Sequence, residues 1–172
     1  FYYLTFIIDV YTRRIVGYAV SDNLRAEANI KALKMAVSRF FCDELKGCVH
    51  HSDRGSQYID GRYLKILRAR KMSISMGGRA QDNAFAERIN GVIKNEYLIP
   101  RSLKTFRQLT YYSKQAVTDY NTKRHHGSLG RCSPEDYEAT WRKLPVHKQR
   151  VEVIRSENTP NFLEASLQDN AI

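Results

Sequence analysis

Apolar and polar positions change rhythm along the chain, and each rhythm predicts an element. Tyr2-Tyr3-Leu4-Thr5-Phe6-Ile7-Ile8 and Ile15-Val16-Gly17-Tyr18-Ala19-Val20 are β-rich runs joined by the polar stretch Asp9 to Arg14, which predicts an antiparallel hairpin with a longish connection. Ser21, Asp22 and Asn23 offer N-caps to a helix whose apolar positions Ala26, Ile30, Leu33, Val37 and Phe40 recur at helical period. A strand around Gly47 to His51 leads to Asp53. A helix near Gly61 to Lys71 turns Tyr63, Leu64 and Leu67 inward, and residues 72–76 alternate as a short strand. Gly77 to Gln81 reads as a flexible loop before a helix with Asp82 and Asn83 as N-cap candidates and Phe85, Ile89, Val92 and Ile93 on its apolar face. Pro100 ends that helix.

A further helix carries Phe106, Leu109, Ser113, Ala116, Val117 and Tyr120, then breaks at the basic turn Asn121 to Gly127. Ser133-Pro134-Glu135-Asp136 is a helix start, with Ser133 as N-cap, Pro134 at the first position and Asp136 where a capping-box acid sits. Beyond Pro145 the pattern dissolves, so residues 1–145 are expected to form the core and residues 146–172 an extended or disordered tail. The order of elements is that of an α/β fold with a mixed sheet.

Two carboxylates stand out on this frame. Asp53 falls at a strand's end, where a rigid strand aims a side chain into the loop layer. Glu87 lies on its helix roughly opposite the apolar stripe, with Lys94 on the same face and Gly91 near it with no side chain to block access. A carboxylate, a gap and a cation on one helix face suit a hard metal beside a phosphate. On the residues alone, Asp53 also reads as a turn cap and Glu87 as a solvated helix residue.

Composition narrows the partners. The chain has 172 residues, 42% of them hydrophobic, which fits one domain with a proper core. Its 28 Lys+Arg against 18 Asp+Glu give a net charge of +10, the footprint of a nucleic-acid partner. Arg54 and Gln57 beside Asp53, Lys94, and the turn residues Lys123, Arg124 and His125 are the candidate DNA contacts; the turn reads otherwise as a polar connection. Tyr111, Tyr112 and Tyr120 read as helix packing rather than base stacking. Cys42, Cys48 and Cys132 are odd in number and lack CxxC spacing, which argues against a disulfide framework and against zinc. No apolar run approaches a membrane span, so a soluble, cytoplasmic protein is expected.

Several segments in order carry a resemblance: Ile8-Asp9-Val10-Tyr11-Thr12-Arg13-Arg14-Ile15-Val16-Gly17, His51-Ser52-Asp53-Arg54-Gly55-Ser56-Gln57-Tyr58, Asp82-Asn83-Ala84 with Glu87, Tyr120-Asn121 with Arg124, and Ser133-Pro134-Glu135. Over about Phe1 to Tyr137 the chain resembles the integrase-like catalytic core of bacterial insertion-sequence (DDE) transposases, relatives of retroviral integrases with a ribonuclease-H-like fold. The resemblance implies a metal-dependent polynucleotidyl transferase that acts on its own element ends and target DNA, multimeric at full length. Asp53 would be the second aspartate and Glu87 the glutamate of a triad holding two Mg²⁺ or Mn²⁺ ions. The family's first aspartate sits on a strand before the Phe1 to Ile8 run, so the resemblance implies that the first strand is missing from this chain. Without it, unpaired edges and poor folding are expected. Asp9 reads instead as a turn former. The 33 residues between Asp53 and Glu87 are slightly fewer than is commonest in the family, and the Gly77-Gly78 loop is where the difference falls. An inactive DNA-binding remnant and a nuclease of the same fold are the competing expectations.

Overall fold

The computed structural model describes residues 1–77 and 84–149. The predicted loop beyond Gly77, the N-cap candidates Asp82 and Asn83, and the tail from Arg150 lie outside the described residues.

The hairpin forms as its alternation requires. Strand β1 (Tyr3–Ile8) pairs antiparallel with β2 (Ile15–Ser21), Phe6 opposite Tyr18, with a register shift between Ile7 and Ile8. Because successive side chains leave a strand on opposite faces, Leu4, Phe6 and Ile8 turn to one side and Thr5 and Ile7 to the other. Each side receives a helical layer.

On one side lies helix α1 (Ala26–Val37), followed by strand β3 (Val49–Ser52), helix α2 (Gly61–Ala69) and strand β4 (Ser73–Met76). Strands β3 and β4 run parallel, His50 opposite Ile74, and α2 is the crossover that parallel pairing demands. Ile30, Leu33, Val37, Leu45, Tyr63 and Leu67 form the core here, joined by Ile7 and Ile74. Leu64, predicted to point inward with them, is half-buried. Gly17 on β2 is required by this packing, since a Cβ there would stand 2.1 Å from the Ala32 carbonyl oxygen. The predicted caps Ser21, Asp22 and Asn23 do not cap α1. Arg25 holds the N-cap position without a side-chain bond, and Asn23 Oδ1 instead accepts from the Arg25 N–H in a turn before the helix.

On the other side are helix α3 (Ala84–Val92) and helix α4 (Phe106–Thr122), whose Ile89, Ala116, Val117 and Tyr120 close on Ile15, Leu4, Phe6 and Ile8. The helix carrying Glu87 does not continue regularly to Pro100. At Ile93–Leu98 it widens to a π-helix, and Pro100 lies inside a following 3₁₀ turn. The wider turn lets Ile93 and Leu98 both reach the core, at 0% and 6% exposure, although five residues apart. Thr105 and Gln108 start α4 with a reciprocal capping box.

Asn121, predicted to begin the basic turn, belongs to α4. Its buried amide accepts from the Ile15 N–H and donates to the Ile15 carbonyl, each at 2.9 Å, fastening the helix to the start of β2. Helix α5 (Pro134–Arg142) begins as predicted, with Ser133 Oγ accepting from the Asp136 N–H. It is tied to the hairpin by ions: Glu138 accepts from Arg14 and from Arg142, and Arg14 also reaches Glu135. Val146–Lys148 then makes one 3₁₀ turn.

The mixed sheet is thus expressed as two separate two-stranded ladders, and among the described residues none joins them. Among the described residues each of the four strands therefore keeps one edge without a strand partner, and such edges are where an aggregation hazard arises.

Candidate active site and nucleic-acid interface

Asp53 is the first residue beyond β3, and the strand's anchoring explains its place. His50 packs against Tyr63 of α2 with its Nε2 2.9 Å from the phenol oxygen, and His51 Nδ1 lies 3.1 Å from Ser75 Oγ on β4. Burial, with the neighbouring His51 adding to it, pushes His50 down to about 4, so the ring is a neutral packing group. With the strand held on both sides, the chain leaves it at Asp53 into the loop.

The Asp53 carboxylate is exposed, and one oxygen accepts from the Gly55 N–H at 2.9 Å. This is the turn cap that its sequence position allowed, but it engages only one oxygen. A Cβ added at Gly55 would meet the Gln57 amide at 2.4 Å, the end of a flexible side chain that would have to swing aside. Gln57 and Asn29 bond the Tyr58 hydroxyl, which burial raises first and the charge of Asp53 raises further. Arg54 points to solvent. Beside this loop a shallow depression of about 360 Å³ opens at the start of α1, with Arg25, Gln57 and Arg62 in its wall. Arg62 is committed to Asp60 and Glu27 at 2.8 and 3.1 Å, so the depression is not strongly cationic.

Glu87 stands exposed on α3 and makes no hydrogen bond or ion pair with a described residue. Lys94, exposed one residue into the π-helix, is likewise unpaired. The space beside Gly91 does not depend on glycine, since an added Cβ would meet nothing within 4 Å. Phe85 departs from the predicted apolar stripe. It is 37% exposed and carries the Arg13 guanidinium 4.4 Å above its ring, a cation–π contact in place of core packing.

Among the described residues no group of three or more His, Cys, Asp or Glu side chains is placed to hold a metal ion. Each carboxylate does offer uncommitted oxygens to solvent, the donor type a hard divalent cation takes. Asp9 does not: its Oδ1 accepts from the Tyr11 N–H at 3.0 Å and its Oδ2 from the Thr12 hydroxyl at 2.8 Å.

Of the basic turn, Lys123 pairs with Asp119 at 2.7 Å, Arg124 with Glu96, and His125 is exposed. Tyr120 is buried at 2% exposure, while Tyr111 is more than half exposed and bonds Gln115. Sequence reasoning grouped His126 with the basic turn Lys123 to His125 and passed over Arg13, whose guanidinium lies over Phe85. The adjacent doublet Arg13-Arg14 was the available signal.

Comparison with known proteins places the chain. The integrase core domain family matches residues 1–81, and a second integrase core domain profile matches residues 68–134. The chain belongs to the integrase core family. It is 34% identical over 143 residues to the transposase for insertion sequence element IS629 of Shigella sonnei, covering 82% of this chain and 47% of that protein. The putative transposase for IS986/IS6110 of Mycobacterium tuberculosis is 31% identical over 147 residues, with 82% and 53% coverage. The integrase core therefore spans about half the length of these curated relatives. The catalytic core domain of HTLV-2 integrase, solved in complex with magnesium, superposes with a TM-score of 0.60 at 17% identity, covering 79% of this chain and 84% of that one. The fold is that of integrase catalytic cores, ribonuclease-H-like. Among the described residues no helix is long and apolar enough to cross a membrane.

Proposed function

We propose that this integrase core carries out DNA strand transfer in the bacterial cytoplasm, cutting and joining the ends of a mobile element with divalent metal ions, Mg²⁺ or Mn²⁺. The observation that carries the reading is the pair Asp53 and Glu87. Each is an exposed carboxylate with uncommitted oxygens, and they lie one in each integrase core match. In this reading both side chains are metal ligands. Bound metal supplies the charge that phosphodiester transfer needs, favouring an ionised nucleophile and steadying the leaving oxygen.

The protein's own contribution is placement. The His50–Tyr63 and His51–Ser75 contacts keep the end of β3 rigid under Asp53, and the Gly55 N–H orients its carboxylate. In this reading Arg54, Gln57, Lys94, Arg124 and His125 contact DNA, and the exposed Lys123–Asp119 pair is weak enough to open for a phosphate. A homo-oligomer on paired DNA ends is part of the proposal, as is magnesium, the ion named for the HTLV-2 core.

The test is a strand-transfer assay with labelled element ends and Mg²⁺, using the whole protein that contains this core. Asp53→Asn and Glu87→Gln should each reduce joined product roughly a hundredfold or more while leaving DNA retention nearly intact. Wild-type activity in either variant refutes the assignment, and cleavage without joining would make the protein a nuclease.

A further inference from the structure

One buried side chain meets both ends of the turn that carries Asp53. The chain leaves β3 at Ser52 and returns to the core at Tyr58, after a 3₁₀ turn (Ser56–Tyr58) in which the Tyr58 N–H donates to the Gly55 carbonyl at 3.0 Å. Tyr63 of α2, 1% exposed, touches both ends. On the strand side its hydroxyl stands 2.9 Å from Nε2 of His50, with the two ring centroids 5.6 Å apart. On the far side its ring meets Tyr58 edge-on, also at 5.6 Å. Between these anchors Asp53, Arg54 and Ser56 are exposed.

Tyr58 is itself well held. It packs against the core that contains Ile30, Leu33 and Tyr63, and its hydroxyl is shared by Gln57 and Asn29. Asn29, buried on α1, in turn accepts from the Thr5 hydroxyl at 3.2 Å. Because no ladder bonds join the β1–β2 and β3–β4 pairs among the described residues, side-chain contacts of this kind set where the Asp53 turn stands relative to the hairpin. The two contacts of Tyr63 differ in kind. Filling the core and meeting Tyr58 need only the ring, whereas the bond to His50 needs the hydroxyl, so substitution can separate a space-filling role from a tethering one.

We propose that Tyr63 is a positioning residue for the Asp53 carboxylate: by holding His50 and Tyr58 it pins both ends of an exposed turn and fixes the direction in which Asp53 is presented. A hard divalent ion needs ligand oxygens in defined places, and groups behind a ligating carboxylate change metal affinity without touching the metal. A turn pinned at one end alone samples more conformations, so bringing its carboxylate into the binding geometry costs more conformational entropy. The role rests on the reading of Asp53 as a metal ligand and adds to it the far end of the turn.

The test uses the whole protein that contains this core, read in two ways: amide hydrogen exchange by mass spectrometry without metal, and strand transfer across a series of Mg²⁺ concentrations. Tyr63→Phe keeps the ring and loses the hydroxyl. It should speed exchange over residues 51–58 roughly three- to tenfold while α4 exchanges as in the native protein, and raise the half-saturating Mg²⁺ concentration by a similar factor with the rate at saturation nearly unchanged. Tyr58→Leu should reproduce both effects from the other end, and Tyr58→Phe should restore most of the loss. Native exchange and native Mg²⁺ dependence in both Tyr63→Phe and Tyr58→Leu overturn the proposal. So does faster exchange spread equally through α1, α2 and the turn with half-saturation unmoved, which would make Tyr63 a core filler. In both cases a loss of joined product in Asp53→Asn leaves strand transfer standing. If Asp53→Asn joins ends at the native rate, the ligand assignment falls and the positioning role with it.

Discussion

Asp9 and Asp53 both follow a strand, and the fold treats them differently. Asp9 spends both oxygens inside its own connection, on the Tyr11 N–H and the Thr12 hydroxyl. Asp53 gives one oxygen to Gly55 and holds its carboxylate in solvent. The same contrast separates Glu138 from Glu87. Glu138 is clamped between Arg14 and Arg142, with burial opposing its ionised form and the two arginines overcoming that opposition. Glu87 makes no hydrogen bond or ion pair with a described residue. A carboxylate with both oxygens engaged by its own fold maintains structure, whereas one that leaves an oxygen free at the surface is available to a ligand.

The contrast breaks most visibly at Glu138. Glu138→Ala should cost about 2–3 kcal/mol, because it removes the acceptor shared by Arg14 and Arg142 and leaves the nearly buried Arg14 guanidinium with Glu135 alone, and a urea midpoint close to native would show the clamp to be ornamental. Next comes acid. His50 stays neutral in the fold down to about 4 but has a value of 6.5 when unfolded. Between those limits the unfolded chain binds more protons, so stability should fall as pH drops from about 6.5 to 4 and recover as it rises. That 2.5-unit gap corresponds to about 3 kcal/mol, and His50→Gln should remove this share of the acid sensitivity. Equal acid sensitivity in both proteins would sink the assignment. Asp9→Ala should lose about 1–2 kcal/mol through its two loop bonds, read as a shift in thermal midpoint. Smallest of all, Asp53→Asn should change stability by less than about 0.5 kcal/mol, and a larger loss would move Asp53 into the structural class.

Much of this was legible in the sequence. The hairpin, α2, β4, α4 and the Ser133 cap follow from short-range rules, since period, caps and turn residues act within a few positions. The two candidate carboxylates were equally visible, and the integrase core matches fall on the segments that carried the resemblance. What failed were inferences that depend on what a helix meets. Phe85 has the right period for the core but lies beneath Arg13, while Ile89 of α3 and Ile93 of the π-helix make the core contacts. Asn121 looks like a turn residue and instead fastens α4 to Ile15, a bond spanning 106 positions that no local pattern encodes. The π-helix at Ile93–Leu98 likewise answers to two buried side chains that a regular helix would not aim together.

By itself, then, the sequence determined the elements, the basic character of the chain and the two acidic positions worth testing, all properties of composition and nearest neighbours. Only the tertiary structure decided which acids are consumed by hydrogen bonds and that Asn121 fastens α4 to the start of β2. Those outcomes depend on packing between distant segments, and contacts across such distances have no period to read.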